Sequence, residues 1–296
     1  MILKKIIYVL GVFLFFWLYI SCTKIDTPPN TNGNNPNDHQ KIYKVVAHRG
    51  GYLECNRPDC SISSLKYAIM LGCYASECDV LITKDNDILV AHPVSGYMIN
   101  GLSPFDHTVA EIRAAGKLAN GEEIPTLRDF INVIMNKEQN PLKTKIWLDV
   151  KELTKDGKSL GYDYSINACL RACEIIKEMK AEEYCEFLIP TGNGIIDAVR
   201  DKVADDYKIN IAWMTSTNPS NYKQAWAQLS YTKVFGDDAT YGPLDYIEAG
   251  VPLSIYNVDN DETMANTLPY YPKLKAIFTN YPNKLIQKIK KEGYEK

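Results

Sequence analysis

Five residues with chemical potential stand at or near the ends of short apolar runs in the first third of the chain. His48 and Arg49 follow Lys44–Ala47, Glu77 and Asp79 lie within Tyr74–Leu81, and His92 follows Ile88–Ala91. Asp149 and Lys151 close a further run that begins at Lys145. Residues two apart on a strand project from one face, so Glu77 and Asp79 share a side, as do Asp149 and Lys151. Carboxylate oxygens converging from one rigid face suit a hard cation such as Ca²⁺ or Mg²⁺. An arginine beside them suits a phosphate, and a lysine adds a point charge. Two histidines suit proton transfer near neutral pH. Singly, these groups read as a polar strand end, a structural ion-pair network and a solvated strand end. Together they describe metal-assisted phosphoryl chemistry.

The order and spacing of these motifs resemble those of the glycerophosphodiester phosphodiesterases. The shared pattern is His48-Arg49-Gly50, Pro58-Asp59-Cys60, Glu77-x-Asp79, Thr83-x-Asp85, His92-Pro93, Pro125-Thr126-Leu127, Leu148-Asp149-Val150-Lys151 and Thr279-Asn280-x-Pro282. It covers almost all of the chain after about residue 43. The resemblance implies metal-dependent hydrolysis of a small glycerophosphodiester to glycerol phosphate and an alcohol. It implies His48 and His92 as the acid/base pair, and Arg49, Lys151 and Tyr256 as substrate contacts. One divalent cation, Ca²⁺ or Mg²⁺, would be held by Glu77, Asp79 and Asp149. Three positions depart from the family pattern: Asp59-Cys60 stands for Glu-Asn, Pro93 for an Asp, and Asp149 for a Glu. These departures keep two alternatives open. One is a catalytically weak barrel that binds an extracellular phosphodiester or glycan. The other is a lyase-type phospholipase of the sphingomyelinase D kind, against which the long segment 93–125 speaks.

The elements that must position these groups alternate along the chain. Strands are predicted at Lys44–Ala47, Tyr74–Leu81, Lys145–Val150, Cys185–Ile189, Ile209–Met214, Lys233–Phe235, Pro252–Asn257 and Ala276–Thr279. Helices are predicted at Ser61–Leu71, Leu127–Met135, Tyr164–Lys180, Ile195–Asp205, Tyr222–Leu229, Leu244–Ala249, Glu262–Thr267 and Asn283–Lys291. Such alternation predicts an α/β fold with a parallel sheet closed into a (β/α)₈ TIM barrel. Ile88–Ala91 adds a short strand, and residues 93–125 form an insertion with a helical pattern at Val109–Ala115. Barrel enzymes carry their chemistry at the C-terminal strand ends, where these residues stand. Thr83-Lys84-Asp85-Asn86 reads as a turn.

The 296 residues carry a net charge of −3, which gives no sign of nucleic-acid binding, and no protein partner is predicted. Lys4 and Lys5 precede an apolar run from Ile6 to Ile20, followed by Ser21-Cys22. A positive start, apolar middle and small residue before a cysteine predict a lipoprotein-type signal peptide over residues 1–22, with Cys22 lipidated. The alternative is an uncleaved membrane anchor. Residues 23–42, rich in Asn, Pro, Thr and Gly, predict a disordered tether to a domain spanning 43–296. The expected location is outside the cytoplasm, lipid-anchored to a bacterial membrane on its periplasmic or cell-surface side. Of eight cysteines, Cys55 and Cys60 share a loop and could bridge; Cys73, Cys78, Cys169, Cys173 and Cys185 are expected as packing residues. No C-x₂-C pair is present to suggest zinc. His39 and His107 are expected to be bystanders.

Overall fold

The structure is a computed structural model and describes residues 41–93, 98–151, 154–155, 158–159, 162–189, 199–214, 218–222 and 225–294. The expected signal peptide with Cys22, residues 23–40 of the expected tether and His39 lie outside these residues, as does the 195–198 part of the helix expected at Ile195–Asp205.

The strands are β1 (Tyr43–Ala47), β2 (Cys73–Ile82), β3 (Ile88–Val90), β4 (Lys145–Val150), β5 (Thr154–Lys155), β6 (Lys158–Ser159), β7 (Cys185–Ile189), β8 (Asn210–Trp213), β9 (Ala225–Ser230), β10 (Leu253–Tyr256) and β11 (Ala276–Thr279). Parallel pairing runs β1-β11-β10-β9-β8-β7-β4-β2, and β1 also pairs with β2. Eight parallel strands therefore close into a (β/α)₈ barrel with no free edge. β3 adds antiparallel to β2 outside the circle, and β5 and β6 make a separate small hairpin.

Closure makes every barrel strand two-faced. On β4, Ile146, Leu148 and Val150 point outward into the layer beneath the helices, while Trp147 joins the interior. On β11, Ile277 packs outward and Ala276 and Phe278 inward. Val46, Ala75, Trp147, Leu188, Ala212 and Trp226 fill the middle of the barrel. At its N-terminal end the buried Glu186 collects Lys145, Lys275, Tyr74, Asn210 and the Trp147 indole N–H, at 2.7–3.2 Å. Burial alone would raise the Glu186 carboxyl; Lys275 and Lys145 outweigh it and hold it below its ordinary value.

The covering helices begin on capping residues. Ser61 caps Ile62–Met70, Thr126 caps Leu127–Ile134 and Asn260 caps Asp261–Thr267. The insertion packs Ile99, Val109, Ile112 and Ile124 against Leu81 and Leu89, around the helix Val109–Ala115. The turn after β2 anchors it: Asp85 accepts from the Val109 N–H at 3.2 Å.

The sixth barrel strand corrects the expectation. Tyr222–Leu229 was expected as a helix and Lys233–Phe235 as a strand; the chain reverses them, with β9 at Ala225–Ser230 and a helix at Tyr231–Phe235. Trp226 and Leu229 stand three apart, which mimics a helical stripe. In the barrel they face opposite ways, Trp226 into the interior and Leu229 into the outer layer. The bridge between Cys55 and Cys60 is also corrected, because both are free thiols. Cys60 is turned inward with φ +51°, and its Sγ lies 3.6 Å from Asp79 Oδ2, while Cys55 reaches the Tyr52 carbonyl at 3.9 Å. The five cysteines expected as packing residues are all buried.

Candidate active site

The end of β1 sets the first groups. Arg49 adopts a left-handed conformation (φ 46°, ψ 39°), a local cost of about 1–3 kcal/mol for a residue with a side chain. The turn lets one residue grip two strand-borne carboxylates. Its N–H donates to Glu77 Oε2 at 3.0 Å, and its guanidinium Nε stands 3.3 Å from Asp79 Oδ2. Gly50 must follow without a side chain: at φ +80°, a Cβ would sit 2.5 Å from Ser64. Arg49 Nη1 also stands 3.5 Å from Asp59, so the Asp of the departed motif still faces the arginine.

Glu77 and Asp79 point inward from β2, Asp149 from the adjacent β4, where Asp79 and Asp149 are register partners. One oxygen from each of these three lies within 4.8 Å of the others. Asp149 Oδ2 lies 2.6 Å from Lys151 Nζ, and Asp79 Oδ1 lies 2.7 Å from the same ammonium. That Asp79 oxygen is buried and accepts no properly directed hydrogen bond. Burial and then the neighbouring carboxylates Asp79 and Asp149 push the Glu77 carboxyl well above its usual range. Burial also raises Asp149, against the pull of Lys151. Lys151 is held protonated: burial opposes its charge, and Asp149 and Asp79 more than offset that. A partly hydrated divalent cation fits this donor set, since it offers hard oxygens, excess negative charge and a buried oxygen without a directed donor.

His48 lies beside the cluster, with Nε2 3.9 Å from Glu77 Oε2 and Nδ1 2.7 Å from Asn280 Oδ1. Burial, then the Arg49 charge, lowers it to about 4, so the imidazole is neutral at pH 7. His92 follows β3 and is half-buried; burial lowers it, and Asp79, Arg49 and Lys151 are its strongest electrostatic neighbours. Tyr256 ends β10, half-buried, with its ring edge-on to Phe278 at 6.3 Å; Phe278 in turn packs on His48 at 5.1 Å. The expected acid/base, substrate-contacting and metal-holding residues His48, Arg49, Glu77, Asp79, His92, Asp149, Lys151 and Tyr256 thus gather at the C-terminal ends of the barrel strands. His107 stands apart in the insertion, bonded through Nδ1 to the Ser103 carbonyl at 3.0 Å.

Two groups at this mouth were not assigned from the sequence. Asn280 belongs to the Thr279-Asn280-x-Pro282 motif and directly follows β11, while Asp259 lies in the loop three residues past the end of β10. Glu54 ties the region together, accepting from the Asn283 and Lys284 N–H groups at 2.7 and 2.9 Å, where the helix Pro282–Glu292 begins.

Comparison with known proteins adds to this geometry. Residues 48–284 match the glycerophosphoryl diester phosphodiesterase family. A glycerophosphodiester phosphodiesterase of Caldanaerobacter subterraneus subsp. tengcongensis is 33% identical over 102 residues; the match takes in 32% of this chain and 41% of that relative. Among solved structures, a glycerophosphodiester phosphodiesterase from Parabacteroides distasonis superposes with a TM-score of 0.67 at 21% identity, covering 86% of this chain and 99% of that one. A phosphodiesterase from Oleispira antarctica, in complex with the product sn-glycerol-3-phosphate, gives 0.62 at 19% identity, covering 84% and 97%. At these identities the structures speak for the shared barrel.

Proposed function

The chain belongs to the glycerophosphoryl diester phosphodiesterase family, and on that premise we propose that it hydrolyses glycerophosphodiesters to glycerol phosphate and an alcohol. The observation that carries the proposal is the convergence of Glu77, Asp79 and Asp149 within 4.8 Å, flanked by Arg49, Lys151 and two histidines. The product found with the Oleispira antarctica neighbour, sn-glycerol-3-phosphate, agrees with this substrate class.

Glu77, Asp79 and Asp149 would hold one divalent cation, Ca²⁺ or Mg²⁺, which when bound neutralises phosphate charge as it builds in the transition state. Arg49 and Lys151 supply fixed positive charge to the same phosphate oxygens, and do so without reorganisation because the carboxylates already hold them. His48 and His92 divide the proton work between the attacking and the leaving oxygen. Tyr256, packed edge-on against Phe278 beside His48, is where a glycerol or headgroup would rest.

The same proposal extends to location. The basic and apolar start, Ser21-Cys22 and the Asn/Pro/Thr-rich residues 23–42 support export, lipid attachment at Cys22 and a tether that leaves the barrel free at a bacterial membrane surface.

A panel of glycerophosphodiesters differing in headgroup, incubated with the purified chain and Ca²⁺ or Mg²⁺, tests the function. Release of glycerol phosphate with the free alcohol supports it. Accumulation of a cyclic phosphate points to lyase chemistry, and binding without turnover to a receptor barrel; either rejects hydrolysis.

A further inference from the structure

We propose that Asp259 and Asn280 are positioning residues that fix the neutral His48 imidazole in its Nδ1–H tautomer, leaving the Nε2 lone pair toward the carboxylate cluster. The consequence for catalysis rests on the proton-transfer role given to His48 above.

The three residues meet because of barrel register. Ala47 and Thr279 are parallel partners on β1 and β11, so the residues that follow them, His48 and Asn280, emerge side by side at the mouth. Asp259 comes from the neighbouring loop after β10, held there by the Val258 N–H, which donates to the Phe278 carbonyl.

The hydrogen bonds run in one direction. A carboxylate only accepts. Asp259 Oδ1 accepts from the Asn280 backbone N–H at 2.7 Å and from the Thr279 hydroxyl at 3.0 Å. Asp259 Oδ2 accepts from the Asn280 side-chain Nδ2 at 2.8 Å. The opposite amide orientation would set the Asn280 oxygen against this carboxylate oxygen, so Asp259 decides which way the amide faces. Asn280 Oδ1 is therefore the atom presented to His48 Nδ1, 2.7 Å away. An amide oxygen has no proton to give, so the proton between them belongs to Nδ1. In a neutral ring that makes Nε2 the acceptor, and Nε2 faces Glu77. A proton leaving the attacking oxygen has a lone pair waiting there, and the O–H bond that breaks is replaced by an Nε2–H bond.

A merely structural clamp between β10 and β11 would need only the bonds to the Thr279 hydroxyl and the Asn280 backbone. Asp259→Asn separates the two roles. The amide oxygen at position 259 can still accept from those two donors. Its new NH₂ then meets the Asn280 NH₂, and Asn280 relieves the conflict by turning over. It then donates to His48 Nδ1 and forces the Nε2–H tautomer.

Nitrogen-15 NMR of the full chain with labelled histidine, with His48 assigned by His48→Gln, reads the tautomer directly. The wild type is expected to show Nδ1–H and Asp259→Asn to show Nε2–H. Turnover of a glycerophosphodiester should fall by about 10²-fold in kcat, with KM little changed. An Nε2–H signal in the wild type overturns the inference even if the variant does not fold, and so does an unchanged tautomer in a folded variant. A tautomer that inverts with full turnover leaves the positioning intact and rejects instead the proton-transfer role of His48.

Discussion

The Lys151 ammonium stands 2.6 Å from Asp149 Oδ2, two residues back on the same strand end. It also reaches Asp79 Oδ1 at 2.7 Å, so one side chain neutralises carboxylates from two strands. If the carboxylates hold a cation and Lys151 a phosphate, as proposed, the pairing would couple the two, because any charge added among the carboxylates is felt by the lysine. Replacing Lys151 with Met is expected to tighten Ca²⁺ or Mg²⁺ binding by about tenfold, through loss of a like charge a few ångströms away. The same variant should raise KM for a phosphodiester. Calorimetric titration together with steady-state kinetics checks both directions.

Asp149→Asn removes one of three anionic oxygens. The cation concentration for half-maximal activity should rise by at least the ~10-fold typical of losing a group that only supports a ligand. Asp149→Glu, which restores the side-chain length usual in the family, should be milder. Equal cation affinity in wild type and Asp149→Asn would remove Asp149 from the ligand set.

A cation held by Glu77 and Asp149 would compete with protons there, both carboxyls being raised above their ordinary values. Raised carboxyls are protonated first as pH falls, so binding must displace more protons at low pH. The rise in thermal midpoint produced by saturating Ca²⁺ at pH 8 should shrink steadily toward pH 5. Differential scanning fluorimetry with and without chelator reads it; a shift that grows on acidification would contradict these protonation states.

His48→Ala and His92→Ala should each lower turnover by about 10²-fold or more while leaving the fold intact by circular dichroism. Full activity in His92→Ala would take His92 out of the pair and leave one proton transfer to solvent.

Glu186 gives a stability prediction remote from the mouth. It is fully buried between Lys145 and Lys275, so Glu186→Gln leaves two ammonium groups without their counter-charge. A loss of about 3 kcal/mol is expected by urea titration. The wild-type carboxyl is held below its ordinary 4.5 in the folded state. Its contribution is therefore complete above about pH 4.5 and is lost as pH falls through the lower folded value. The difference between wild type and variant should narrow below that pH; a constant gap would contradict the ion pairing.

Cys22 should carry lipid in membrane-extracted protein, read by mass spectrometry of the N-terminal peptide. An intact Met1–Ser21 segment would reject lipid attachment.

The carboxylate cluster was legible because strand geometry is local: Glu77 and Asp79 are two apart, as are Asp149 and Lys151, and each pair adjoins an apolar run. The barrel was legible for the same reason, from runs such as Lys145–Val150 and Cys185–Ile189. β9 escaped because Ala225, Trp226, Ala227 and Leu229 fit either period, and only closure of the barrel decides which face each takes. Asp259 and Asn280 escaped because their partner His48 lies more than two hundred residues away, joined by the pairing of first and last strands. Glu186 likewise looks anomalous in an apolar strand until Lys145 and Lys275 arrive from neighbouring strands.

Cation add-back to chelated protein tests the central claim most directly. The chain, stripped of metal and supplied with a glycerophosphodiester, should release no glycerol phosphate. Micromolar to millimolar Ca²⁺ or Mg²⁺, about the range of oxygen-ligand sites, should restore release in step with binding at Glu77, Asp79 and Asp149. Undiminished hydrolysis in the presence of chelator, or no hydrolysis at any cation concentration, would contradict a phosphodiesterase working through this cluster.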